Sequence, residues 1–272
     1  MPATAPRRET RRVLSVDPIG ADCFRIGVEC PLPADAVEPA QFFMLRRSDG
    51  EGPLLPRPFS LERLKDGVLS FVVKVFGRGS RALAAVRPGE SFDLVGPLGR
   101  GFPPVRRDEG VVMVAGGIGI APFAHLLDRA LGAGVPPGAM TLVFGSSTAE
   151  ALYALPLYES FGIRLVLATD DGSRGFRGNA VDCYGAELAA RRLDPRTPVL
   201  GCGPDRMLRA FARFARARKL RASLSVETFM ACGIGICNGC SVPVDPARFG
   251  GWPYAKACRE GPVFEVEALV EK

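Results

Sequence analysis

Reactive side chains are densest in the stretch Cys232-Gly233-Ile234-Gly235-Ile236-Cys237-Asn238-Gly239-Cys240, followed after a gap of seventeen residues by Cys258. The C-x4-C-x2-C…C spacing is the plant-type ligand set of a [2Fe-2S] cluster. Two irons bridged by two sulfides need four outward thiolates, and a short loop supplies three of them only if its backbone turns tightly. Gly233, Gly235 and Gly239 meet that need, because without a Cβ they enter left-handed conformations and let amides approach sulfur. Four cysteines can also form a structural zinc site, two disulfides, or pack as small apolar residues. Zinc sites favour paired C-x2-C knuckles, and only Cys237 and Cys240 form one here.

Chemistry of a second kind is suggested by glycine turns that end apolar runs. Val111 to Ala115 reads as a buried parallel strand and leads through Gly116-Gly117-Ile118-Gly119-Ile120-Ala121-Pro122 into an apolar helix. Strand, glycine turn and helix make a phosphate cradle, with Pro122 early in the helix where its missing amide does no harm. The G-x-G-x-x-G fingerprint is not matched, and a tight structural turn is an equally good reading of this segment alone. Strand-like Met140 to Phe144, helix-like Ala149 to Ser160, strand-like Arg164 to Thr169, a helix near Ala180 to Arg192, strand-like Pro198 to Leu200 and a basic helix from Asp205 continue the alternation. In such open sheets ligands lie beyond the carboxyl ends of the strands. The loops Gly116 to Pro122, Thr169 to Gly172 with Asp170, and Gly201-Cys202-Gly203-Pro204 fall there, so these are the candidate nucleotide contacts. Cys202 is further expected near a nicotinamide ring.

The elements that must carry a third group lie upstream. Val13 to Cys30, Gln41 to Arg47 and Val68 to Phe76 read as strands of a small antiparallel β-barrel, with a loop at Gly96 to Phe102 and a linker at Pro103 to Glu109. Inside it, Arg57-Pro58-Phe59-Ser60 and the Gly79-Ser80 pair before a helix offer a cation, a stiff turn, a hydroxyl and close backbone approach. Each string alone is more often a turn; the two together in a barrel suggest a flavin and its phosphates.

Composition sets the limits. A chain of 272 residues accommodates more than one core, and its net charge of +6 is spread rather than blocked. The helix from Asp205, with Arg206, Arg209, Arg213 and Arg216, reads as amphipathic with a solvated basic face; no motif for reading nucleic acid accompanies it. The longest apolar run, Val111 to Leu127, is too short and too broken by glycine to span a bilayer. Residues 1–12 are expected to be a basic flexible leader without the apolar segment of a signal peptide, which makes the cytoplasm the default and keeps the eight cysteines reduced. His125, the only histidine, and Cys23, Cys30 and Cys183 read as packing residues.

Taken in order, R-P-x-S, G-x-G-S, G-G-x-G-x-A-P, G-C-G-P and M-A-C-G-x-G-x-C-x-x-C resemble the ferredoxin–NADP reductase superfamily. More narrowly, the chain resembles the iron-sulfur flavoprotein electron-transfer subunits of class B dihydroorotate dehydrogenase. The resemblance implies a FAD-binding barrel at 13–104, an NAD-binding α/β parallel-sheet domain at 105–222 and a small [2Fe-2S] domain at 223–272. It implies that Arg57, Pro58, Phe59, Ser60, Val72, Val73, Lys74, Gly79 and Ser80 hold FAD, and that Cys232, Cys237, Cys240 and Cys258 ligate the cluster. Gly116, Gly117, Gly119, Asp170, Gly201, Cys202, Gly203 and Pro204 are the expected NAD contacts. It further implies an FMN-containing catalytic partner, in a heterotetramer with two copies of each subunit, and a place in pyrimidine biosynthesis. The loop bearing Phe249-Gly250-Gly251-Trp252-Pro253 before Cys258 is longer than the family pattern. The segment Gly145 to Glu150 lacks an arginine for a 2′-phosphate, and Glu150 is expected to repel one, which favours NAD over NADP. Two other readings stand beside this one: a flavin subunit of a related NAD(P)H ferredoxin oxidoreductase or sulfide dehydrogenase, and a zinc-stabilised basic nucleic-acid-binding protein.

Overall fold

A computed structural model describes residues 5–270. Strands β1 (Arg7–Gly20), β2 (Cys23–Glu29), β3 (Phe42–Arg47), β4 (Arg57–Lys65), β5 (Val68–Lys74) and β6 (Ser91–Leu98) close an antiparallel barrel in the order β1-β2-β5-β4-β3-β6, with helix α1 (Arg78–Ala84) following β5. Side chains alternate across the barrel wall. On β3, Phe43 and Leu45 join the interior with Leu61, Phe71 and Val73, while Phe42 and Met44 belong to a separate apolar cluster outside it.

Residues 7–12 are not a leader. They are the first half of β1, paired with β6 from Arg7 opposite Gly96 to Arg12 opposite Ser91, and the Thr10 hydroxyl donates to Asp93 at 2.8 Å. Their polar alternation hid the strand, whose backbone closes the barrel edge that β6 would otherwise expose. Residues 1–4 of the expected leader lie outside the described residues. Gly96-Pro97-Leu98, read as a loop, is likewise the end of β6.

The next part alternates as expected: β7 (Val111–Gly116), α2 (Pro122–Gly132), β8 (Met140–Ser146), α3 (Leu155–Glu159), β9 (Arg164–Thr169), β10 (Phe176–Arg177), α4 (Ala180–Ala189), β11 (Val199–Cys202), α5 (Asp205–Ala217) and β12 (Ala222–Ser225). The helix expected over 149–160 is broken, because Ala154 is left-handed at φ 57° and Pro156 restricts a helix to starting just before it. On α5 the residues Leu208, Phe211, Ala212 and Ala215 are buried.

The C-terminal part adds β13 (Ser241–Pro243), β14 (Tyr254–Lys256) and β15 (Val263–Glu265). β13 and β14 form a separate hairpin, whereas β15 pairs antiparallel with β12 and completes the sheet β10-β9-β8-β7-β11-β12-β15. A division at 222/223 therefore cuts β12, and the cysteine-bearing segment returns a strand to the nucleotide sheet.

Barrel and sheet are joined by α2 lying on β4. Arg63 chelates Asp128, with one arm at 2.8 Å. His125 is fully buried, with Nε2 facing the Val37 carbonyl at 3.0 Å and Nδ1 accepting from the Leu64 amide at 3.4 Å. Both contacts suit the neutral ring protonated on Nε2, and burial lowers the affinity of His125 for a second proton. The unfolded chain takes up that proton near pH 6.5 and the folded chain does not, so this contribution to stability is complete above pH 6.5 and declines as pH falls below it. Denaturant midpoints measured against pH will reveal an acid limb that His125→Gln flattens, by at most about 1.4 kcal/mol per pH unit.

Candidate functional site

Three places carry the candidate residues, and the barrel supplies the first and borders the other two. The first is the turn region of β4, β5 and α1. Arg57, Pro58, Phe59 and Ser60 form the start of β4, Val72, Val73 and Lys74 end the neighbouring β5, and Gly79 and Ser80 lie in the first turn of α1. Gly79 lies close against Arg57: a Cβ there would stand 2.7 Å from Arg57 Nε, so a side chain would displace the guanidinium. The Ser80 hydroxyl accepts from the amides of Phe76 at 2.9 Å and Gly77 at 3.2 Å. Phe59 and Val73 pack on the barrel interior, and Val72 packs against Ala121 and Tyr153 across the seam. The valines therefore offer a ligand their backbone rather than their side chains.

The second place is a cleft of about 220 Å³ beyond the carboxyl ends of β7, β8 and β9, lined by Gly116, Gly117, Asp170 and Pro204 together with Lys74 from the barrel. Gly117 is left-handed at φ 52° with open space around it. The remaining expected contacts, Gly119, Gly201, Cys202 and Gly203, do not line the cleft. They let its walls close: a Cβ on Gly119 would stand 2.4 Å from the Cys202 carbonyl oxygen, and one on Gly203 would meet Met207 at 2.8 Å. Burial pushes the Cys202 thiol up to about 12, which keeps it neutral. Glu150 is exposed and does not line the cleft; the acid that does is Asp170.

Sequence reasoning missed Tyr153, Asn179 and Met207, which also line the cleft with Ser146 and Ser147 of the Gly145 to Glu150 segment. Asn179 had a local signal, an Asn before an apolar helix, and it caps α4 by accepting from Val181 and Asp182. Tyr153 had none. Its hydroxyl donates to Asp22 at 2.7 Å and its ring fits against Gly20, while Lys74 Nζ sits 5.2 Å from the ring centre and 3.6 Å from Asp22.

The third place is the cysteine loop. Cys240 and Cys258 are buried with Sγ atoms 3.2 Å apart, and the Cys237 amide donates to Cys232 Sγ at 3.5 Å. Burial raises the Cys232 thiol, but amides of Cys237, Ile234 and Ile236 outweigh it and bring the thiol down to about 6; burial and Cys240 push Cys258 up to about 12. A ring of amides aimed at one sulfur favours thiolate there. Gly233 and Gly235 are left-handed at φ 70° and 88°, but the third left-handed residue is Asn238 at φ 57° rather than Gly239. Asparagine tolerates that region through its short polar side chain. Among the described residues no three Cys, His, Asp or Glu side chains converge on one metal position. The thiols pair two and two. The long insert before Cys258 does not displace it, because β13 leaves Cys240 and β14 returns just before Cys258.

Residues 227–270 match the family profile described as iron-sulfur cluster binding domain of dihydroorotate dehydrogenase B, and residues 113–213 match an oxidoreductase NAD-binding domain. The chain is 34% identical over 257 residues to the dihydroorotate dehydrogenase B (NAD(+)) electron transfer subunit of Shouchella clausii, covering 93% of this chain and 94% of that one. It belongs to the family of dihydroorotate dehydrogenase B electron transfer subunits. The corresponding subunit of Desulforamulus reducens is 30% identical over 93% of this chain and 94% of its own length. Among solved structures, an NADH-dependent reduced ferredoxin–NADP oxidoreductase studied for flavin-based electron bifurcation aligns with a TM-score of 0.80 at 26% identity, over 99% of this chain and 91% of that one. As a dihydroorotate dehydrogenase B electron transfer subunit, the chain is an NAD-binding oxidoreductase subunit with an iron-sulfur cluster binding domain. No helix among the described residues is long and apolar enough to cross a membrane.

Proposed function

We propose that this subunit passes electrons between an FMN-containing dihydroorotate dehydrogenase subunit and NAD, using FAD held on the barrel and a [2Fe-2S] cluster held by Cys232, Cys237, Cys240 and Cys258, in a heterotetramer with two copies of each chain. The observation that carries this reading is the order of strands. Lys74 on β5 reaches the nucleotide cleft, the R-P-x-S residues occupy the adjacent β4, and β3 beyond it supports the cysteine loop through Met44. Neighbouring strands lie about 4.8 Å apart. This order of strands supports neighbouring seats for the three carriers on the barrel.

The flavin, when bound, supplies conversion between the paired electrons of a nicotinamide hydride and the single electrons that a cluster accepts. Arg57 contributes a cation beside Gly79, Ser60 a hydroxyl, and the ends of β5 and α1 backbone polar groups. Tyr153, Asp22 and Lys74 tie the barrel to the cleft and so orient a nicotinamide toward the barrel. The amides around Cys232 hold negative charge on sulfur. Pairing of the thiols two and two supports a binuclear cluster over a single tetrahedral zinc, which needs all four sulfurs around one point. The partner is proposed to dock on the face with Ile234, Ile236 and Asn238, of which Ile236 is 76% exposed.

The test is direct. Purified alone, the chain is expected to contain flavin, iron and sulfide and to drive dye reduction from NADH without oxidising dihydroorotate; copurification should recover a dihydroorotate-oxidising FMN protein. Oxidation of dihydroorotate by the isolated chain would sink the assignment. Recovery of a larger glutamate-synthase-like flavoprotein instead would favour the bifurcating type of complex.

Asp170 is proposed to accept from the ribose 2′-hydroxyl and to repel a 2′-phosphate, the part expected of Glu150. Asp170→Asn should raise the ratio of NADPH to NADH efficiency on the order of tenfold. An unchanged ratio in steady-state assays would remove Asp170 from that role.

A further inference from the structure

The cysteine loop is seated on the barrel at one point. Gly233, next to the ligand Cys232, is left-handed at φ 70°, and a Cβ there would stand 2.6 Å from Met44 Cγ, 2.8 Å from Met44 Sδ and 3.2 Å from Leu98. Met44 is fully buried although it faces away from the barrel interior, in the cluster that also contains Phe42, Cys240 and Cys258. On its other side, Met44 is in register with Pro58 of the R-P-x-S segment on β4. One side chain therefore fills the space between the flavin-type strand and the ligand loop.

We propose that Met44 is the positioning residue that sets the distance and packing between the flavin seat and the iron-sulfur loop, with Gly233 its obligatory counterpart. The proposal rests on the functional reading above and adds the contact through which the two carriers communicate. A long, unbranched and polarisable side chain suits a wedge that must fill an irregular gap. Any gap opened there separates the carriers, and electron transfer falls steeply with separation. With both groups bound, each crossing would move one electron and no proton from reduced flavin to oxidised cluster; the second would follow once the cluster had passed the first to its acceptor, and the flavin's protons would leave to solvent.

The experiment uses the full chain with its flavin and metal. NADH is mixed with the protein in a stopped-flow instrument, and flavin reduction is separated from cluster reduction by their absorption, with iron, zinc and sulfide content and the electron paramagnetic resonance spectrum recorded for each variant. Met44→Ala is expected to slow the second phase relative to the first by roughly ten- to a hundredfold, the scale on which a displacement of an ångström acts on a positioned reaction, and to alter the cluster spectrum. Met44→Leu, which keeps the volume, should stay near the parent. Should Met44→Ala fail to fold, Met44→Val reads the same ratio with a shorter side chain suited to a strand.

Gly233→Ala should lower iron and sulfide content, because the left-handed backbone and the Met44 contact both penalise the new methyl. Iron-loaded Met44→Ala with the parent's phase ratio and spectrum would overturn the inference, as would Gly233→Ala loaded like the parent. A parent protein loaded with zinc rather than iron overturns the functional reading and the inference together.

Discussion

Replacing Cys237 with serine is expected to leave reduction of the proposed flavin by NADH intact and to stop the passage of electrons to the proposed partner. Cys237 is exposed, whereas Cys240 and Cys258 are buried, so its loss removes a ligand without opening the apolar seat that holds the loop on the barrel. A serine hydroxyl in its place cannot supply the thiolate that iron-sulfur clusters require. The Lys74, Tyr153 and Asp22 contacts beside the nucleotide cleft are made without the loop. Stopped-flow traces should keep the flavin phase and lose the cluster phase, with iron and sulfide content falling. If the flavin phase disappeared in a folded variant, the division into an inlet and an outlet would be wrong.

Arg25→Ala is expected to destabilise the protein by about 3–5 kcal/mol, toward the lower end because the arginine is partly solvated. Arg25 on β2 reaches across β5 to Glu62, which sits at an irregularity of β4, with two contacts of 2.7 Å. The Glu62 side chain is only 1% exposed, so truncating Arg25 leaves a buried carboxylate without its partner. Removing both charges, as in Arg25→Met with Glu62→Leu, should recover much of the loss. Urea unfolding followed by intrinsic fluorescence and by flavin release measures both. Equal losses in the single and double variants would show that the pair does not act by charge compensation.

The candidate chemistry was legible to different depths. The candidate cluster ligands could be named from the sequence because three of the four lie in one loop at a spacing typical of such ligands. The β-α alternation was readable because buried parallel strands are continuous apolar runs, and the loops after β7 and β9 followed from it. β1 was half hidden, since Arg7 to Arg12 carry no apolar face; their pairing is demanded by barrel closure rather than by side chains. Asn238 took the left-handed position expected of Gly239 because either residue tolerates it, and only the folded loop selects between them.

By itself, the sequence determined which carriers this protein could hold: thiols at cluster spacing, glycine turns ending apolar strands, and a cation with hydroxyls in a barrel are local patterns whose chemistry travels with them. Only the tertiary structure decided which of those residues meet. It set Gly119, Gly201, Cys202 and Gly203 behind the cleft wall, brought Tyr153 into its lining, and put Met44 between β4 and Gly233. The physical reason is that a strand's two faces serve different neighbours. Residue type and alternation tell that Met44 and Phe43 point opposite ways, but which of them faces a barrel interior and which faces a cysteine loop depends on packing between segments almost two hundred residues apart.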